Sequence, residues 1–167
     1  MKKTLLISAL AAALCITLCA CNNGGDSKES ENSGSSVQNE VTKTPAEKTE
    51  ELLNTLNFPQ MVEIKGETLE ATLGNAITVS ELSDYSVFRC GSGANPDEFG
   101  ILVANDAETA AKIKQALDSW VEYQSGLYRD YTPAEAYKLD DCFVELRGNT
   151  VTYAICEDNS KARQILI

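Results

Sequence analysis

The sequence predicts an α+β domain in two layers: an antiparallel sheet of about four strands with one long amphipathic helix packed on one face. Three observations predict it. Two β-rich runs, Asp84–Cys90 and Glu98–Ala104, are joined by a loop containing Gly and Pro. A helical stripe of apolar residues follows, from Ala110 to Gln124. The chain then folds back as a hairpin around Gly148-Asn149.

Residues 1–20 read as a signal peptide. Lys2-Lys3 give a positive start and Leu5 to Leu18 an apolar core, shorter than the ~20 residues of a membrane-spanning helix. The run Leu18-Cys19-Ala20-Cys21 resembles a bacterial lipoprotein processing site, with small Ala20 before Cys21 and leucine two positions earlier. Cys15 and Cys19 each follow a bulky leucine and do not compete. On this reading Cys21 is lipidated and becomes the N-terminus. The protein is then held at the cell membrane, on its extracytoplasmic face, by two or more acyl chains.

Losing Lys2 and Lys3 with residues 1–20 takes the formal net charge from −11 to −13. Such acidity repels nucleic acid, so no nucleic-acid role is expected. Histidine is absent, which removes His-based triads, His general bases and His-ligated metals. No Asp-x-Asp-x-Asp-Gly loop is present for calcium, and neither a metal nor a cofactor is expected.

Residues 21–57 read as the lipidated cysteine and a disordered polar tether, since Ser, Asn, Gly, Glu, Lys and Thr dominate it. Its first 28 or so residues span roughly 30 Å as a flexible chain. Pro45-Ala46-Glu47 offers a short helix start before Asn57-Phe58-Pro59. Residues 58–167 read as one domain, long enough for one modest core.

Within it, Glu67 to Leu73 has helical apolar spacing and stops at Gly74. The two strands come next, Glu98–Ala104 being apolar enough to lie centrally. Asn105 offers an N-cap with Glu108 three residues on. The long helix buries Ala110, Ile113, Leu117, Trp120, Val121 and Gln124, and Gly126 ends it. Thr132-Pro133-Ala134-Glu135 starts a short helix through Lys138. A last helical turn runs from Asn159 through Leu166.

A two-residue type II′ turn at Gly148-Asn149 pairs Arg147 with Thr150, Glu145 with Thr152 and Phe143 with Ala154. Cys142 and Cys156 then lie on opposite faces, which opposes a disulfide between them. That leaves Cys90 as the one residue that could pair with Cys156, on condition that their strands are neighbours.

The pieces Asp97-Glu98-Phe99-Gly100-Ile101-Leu102-Val103, Tyr131-Thr132-Pro133-Ala134-Glu135 and Gly148-Asn149-Thr150-Val151-Thr152-Tyr153-Ala154-Ile155 form a series, with the helix of Leu117 and Gln124 in its place. From Leu69 to Ile167 this series resembles a family of small lipoproteins of Gram-positive gut-type bacteria, known as a domain of unknown function. The resemblance implies fold and location and brings no activity, ligand or catalytic residue with it.

Two functions remain. One is a non-catalytic module that binds an envelope protein or a small ligand. Its candidate surface is Tyr128, Arg129 and Tyr131, with Tyr123 and Tyr137 nearby, because Tyr and Arg favour binding hot spots. The competing role for these rings is packing over the helix ends. The other function is a carboxylate-dependent envelope hydrolase using Asp97-Glu98 or Asp140-Asp141. Adjacent strand residues point to opposite faces, so neither pair is a ready dyad and no catalytic residue is assigned.

Replacing Cys21 with Ala should abolish metabolic labelling by a clickable fatty acid and leave the circular dichroism spectrum unchanged. Continued labelling would contradict the anchor.

Overall fold

The structure is a computed structural model and describes residues 42–167. The signal peptide, Cys21 and most of the expected tether lie outside the described residues.

Thr44 caps the first helix, α1 (Pro45–Thr55). Its amide donates to Glu47 Oε2 at 2.7 Å, and the Glu47 amide donates to Thr44 Oγ1 at 3.3 Å. Pro45 follows at the position where its missing N–H costs nothing. Leu52 is fully buried, and α1 packs on the sheet and on the C-terminal helix. The folded domain therefore starts before residue 58, and the tether does not extend to 57. Leu52, Leu53 and Leu56 give α1 an apolar side worth burying.

The remaining elements are β1 (Met61–Glu63), α2 (Gly66–Thr72), a 3₁₀ turn (Val79–Glu81), β2 (Leu82–Cys90), β3 (Glu98–Ala104), α3 (Ala107–Tyr131), α4 (Tyr137–Asp140), β4 (Phe143–Arg147), β5 (Thr150–Ile155) and α5 (Asn159–Leu166). The strands form one antiparallel sheet in the order β1-β2-β3-β5-β4. The α+β class and the long helix on the sheet are as the sequence predicts. The fifth strand, β1, is too short to show a period of two.

Both faces of the sheet are covered, so a second helical layer joins the two expected. On one face Val87, Leu102, Val151 and Tyr153 pack under Ile113 and Leu117 of α3 and Leu69 and Leu73 near α2. On the other Phe99, Ile101, Phe143 and Ala154 pack under Leu52 of α1 and Ala162 and Leu166 of α5. This explains why β3 is apolar on both sides, with only Val103 partly exposed.

The hairpin register is as expected, and Gly148 has φ +57° at the first turn position. Cys142 packs beside Tyr128, Leu139 and Ile155, whereas Cys156 joins the opposite face. The Cys90–Cys156 pairing that the sequence leaves open is not made here: both are free thiols. β3 runs between β2 and β5, so two strand spacings, about 10 Å, separate them, beyond disulfide reach.

Two details of α3 differ from expectation. Asp106, not Asn105, is the N-cap, its carboxylate accepting from the Thr109 amide at 2.7 Å. The helix also runs through Gly126 to Tyr131. Mid-helix Gly costs about 1 kcal/mol relative to Ala. Nothing inside the molecule requires it, since a Cβ there would meet no atom within 4 Å.

Candidate functional site

The polar heart of the domain sits where α3 crosses the sheet. Glu98 opens β3 and is 0% exposed. Antiparallel pairing sets Arg89 of β2 directly across from it. Arg89 Nε donates to Glu98 Oε2 at 2.7 Å, and its Nη2 to Oε1 at 3.0 Å, a bidentate pair. Tyr153 Oη donates to Oε1 at 2.7 Å, and Trp120 Nε1 to Oε2 at 3.1 Å. The Arg89 guanidinium lies 4.8 Å from the Trp120 ring centre and also donates to Thr72 Oγ1 at 2.9 Å.

Tyr153 reaches Glu98 because Gly100, its partner across the ladder, leaves room. A Cβ at Gly100 would lie 2.7 Å from Val87, 2.9 Å from the Ser86 carbonyl and 3.1 Å from the Tyr153 ring. Burial, and then the Glu98 charge, push the Tyr153 hydroxyl well above its usual pKa, so it remains a donor. Burial works against the Arg89 charge, but Glu98 outweighs it and raises the guanidinium pKa.

A second ion pair locks the adjacent end. Lys138 of α4 donates to Asp97 Oδ2 at 2.7 Å and pairs with Glu135 at 2.8 Å. Burial opposes the ammonium, yet these two acids raise the Lys138 pKa overall. Burial raises the Asp97 pKa more than Lys138 lowers it. Asn159 of α5 bridges the Lys138 carbonyl and the Cys156 amide. Burial pushes the Cys156 thiol up to about 12. The Cys90 thiol is also desolvated, but hydrogen bonds led by Ser92 lower it overall.

Asp97 and Glu98 therefore reach different elements, each neutralised by its own cation, and they do not form a carboxylate dyad. Asp140 pairs with Arg129 at 2.9 Å, and Asp141 is exposed. Among the described residues no cluster of Cys, Asp or Glu is placed to hold a metal, and no helix is long and apolar enough to cross a membrane.

The candidate surface of Tyr128, Arg129 and Tyr131 is divided by the helix. Tyr128 points inward and is buried; its one hydroxyl proton is shared between the carbonyls of Gly93 and Asn95, 2.9 and 3.0 Å from the oxygen. Arg129 is exposed and held by Asp140. Tyr131 is 72% exposed. It continues a ridge with Tyr123, 60% exposed, and Leu127, 43% exposed, at spacings of four. Leu127 joins the ridge because the helix continues past Gly126, where the sequence predicts its end.

Two grooves flank this ridge and share Ser119 and Tyr123. One, about 560 Å³, lies between α2 and α3 and is lined by Thr72, Leu73, Ala116 and Trp120. The other, about 720 Å³, runs along α3 past Glu122, Gly126, Leu127 and Tyr131. Trp120, expected in the core, is half-buried: its N–H faces Glu98 while its ring sits 5.7 Å from that of Tyr123.

Replacing Tyr128 with Phe removes the one proton that two loop carbonyls share. We expect a loss of about 1 kcal/mol in denaturant unfolding and faster amide exchange across residues 91–95. Unchanged exchange there would contradict the tethering role.

A family model for a domain of unknown function, DUF4358, matches residues 54–156. No curated protein and no solved structure matches the chain. The matched span holds all five strands and the Glu98 cluster, in agreement with the domain of unknown function that the sequence resembles. This chain belongs to the DUF4358 family.

Proposed function

We propose that this protein is a lipoprotein anchored through Cys21 at the extracytoplasmic face of the membrane. Its domain is a non-catalytic interaction module that binds an envelope protein through the outward flank of α3. One observation carries the proposal: the ridge Tyr123, Leu127 and Tyr131 stands exposed on a helix whose other side is fully engaged with the sheet.

Exposed apolar residues scattered singly need no explanation, but here three large ones are contiguous and bordered by concave surface. Tyr and Trp supply large contact area with few rotatable bonds, which suits a binding ridge. The two most buried acids are consumed by Arg89 and Lys138, which supports binding over catalysis. The leader sequence supports the anchor, and the acidic domain is repelled by anionic lipid, which favours a partner beyond the membrane surface.

The test replaces Tyr123 and Leu127 together with Ser in the full-length chain, then crosslinks and co-purifies from native membranes. Stability should change by less than about 0.5 kcal/mol per site. Recovery of the crosslinked partner should fall at least about tenfold. Undiminished recovery of the same partner would place the binding surface elsewhere.

A further inference from the structure

We infer that the surface at Gly126 receives a basic amphipathic helix. The inference rests on the outward flank of α3 being the binding surface, and it names the chemistry of what binds there.

The first observation is Gly126 itself. It sits inside a regular helix, in the last third of α3, its φ is not positive, and no neighbour crowds it. Ala would serve the isolated domain better. A missing side chain on a helix surface is useful when another backbone must approach closely. Ser119, small and one heptad earlier, extends the same low strip. Beside it stand Tyr123, Leu127 and Tyr131 as a ridge at i, i+4 and i+8. A low strip beside such a ridge is the relief into which a second helix packs its own ridges. A groove of about 720 Å³ already follows the strip.

The second observation is charge. Glu122 and Asp130 lie one turn before and one turn after Gly126, both exposed. Both line the groove, neither makes an ion pair among the described residues, and no basic side chain lines it beside them. They stand about 12 Å apart along the axis, eight residues at 1.5 Å each. A second copy crossing antiparallel at Gly126 would set Glu122 against the other Asp130. A parallel crossing would set each acid against its own kind. Self-association is therefore opposed by like charges on a chain that is already acidic. A partner helix with an apolar stripe and Lys or Arg on its flanks meets both acids and fills the low strip.

The test is a selection from a displayed library of helix-forming peptides, with apolar and charged positions randomised. It is run on the full-length chain and in parallel on the Gly126→Leu chain. Recovered sequences should place apolar residues at i, i+3 or i+4, and i+7, with Lys or Arg alongside. A synthesised winner should shift the fluorescence of Trp120, the single tryptophan. Its affinity should fall at least about tenfold in Gly126→Leu, in Glu122→Gln with Asp130→Asn, and between low and high salt.

Neutral or acidic winners, no winners, or winners indifferent to Gly126→Leu would overturn the basic helix. So would a dimer in sedimentation that Gly126→Leu disperses. These failures leave the binding surface standing if Tyr123→Ser with Leu127→Ser still removes a crosslinked envelope protein. If that double change alters neither peptide binding nor crosslinking, the surface itself is wrong.

Discussion

A single buried carboxylate organises this domain. Glu98 has no exposure, and an ion taken out of water costs several kcal/mol unless its charge and lone pairs are met. They are met by four hydrogen bonds from three residues on three elements: Arg89 on β2, Tyr153 on β5 and Trp120 on α3. Each donor constrains its element. Arg89 requires the β2–β3 register that places it across from Glu98. Tyr153 requires a bare backbone at Gly100. Trp120 sets the rotation of α3 about its own axis. With its indole turned to Glu98, Ile113, Leu117, Gln124 and Tyr128 face the sheet and Tyr123 and Leu127 cannot. The buried charge and the apolar stripe of Ala110, Ile113 and Leu117 thus agree on one rotation of α3, and the ridge is its far side.

The same helix serves two requirements at different energies. Its inner side carries apolar burial, the Glu98 cluster and the Tyr128 tie to the loop before β3. Its outer side carries aromatic and aliphatic surface that the fold does not use, and a glycine that weakens the helix locally. Asp97 and Lys138 brace the same end of β3, one residue before Glu98, and Asn159 links that brace to α5. The side on which a partner would press is therefore backed by a packed and hydrogen-bonded inner face, so binding there has little backbone to order.

Legibility in the sequence followed the range of the interaction. The hairpin was readable to the residue pair because a two-residue turn fixes register, and Gly148 supplies the required positive φ. β3 was readable because its apolar run is continuous. The Glu98 cluster was not. The longer connection between β2 and β3 leaves their register open, so nothing local sets Arg89 opposite Glu98, and Asp97-Glu98 looked like any acidic pair beside a turn. Strand order is equally non-local: the sequence does not say that β3 lies between the strands that lead to Cys90 and Cys156. Gly126 misled in the other direction. Glycine is a common helix stop, and stopping there hid the spacing of Tyr123, Leu127 and Tyr131. Tyr128 and Tyr131, three residues apart, then looked like one surface although the helix turns one inward and the other out.

The central claim is that Arg89 and Glu98 act as one unit that positions α3. A double-mutant cycle in denaturant unfolding tests it most directly, using Arg89→Met, Glu98→Met and both together. Each single change strands a partner and should cost about 3–5 kcal/mol, while the double change should cost much less than their sum, with a coupling of at least about 2 kcal/mol. Single effects that add, with no coupling, would contradict the account.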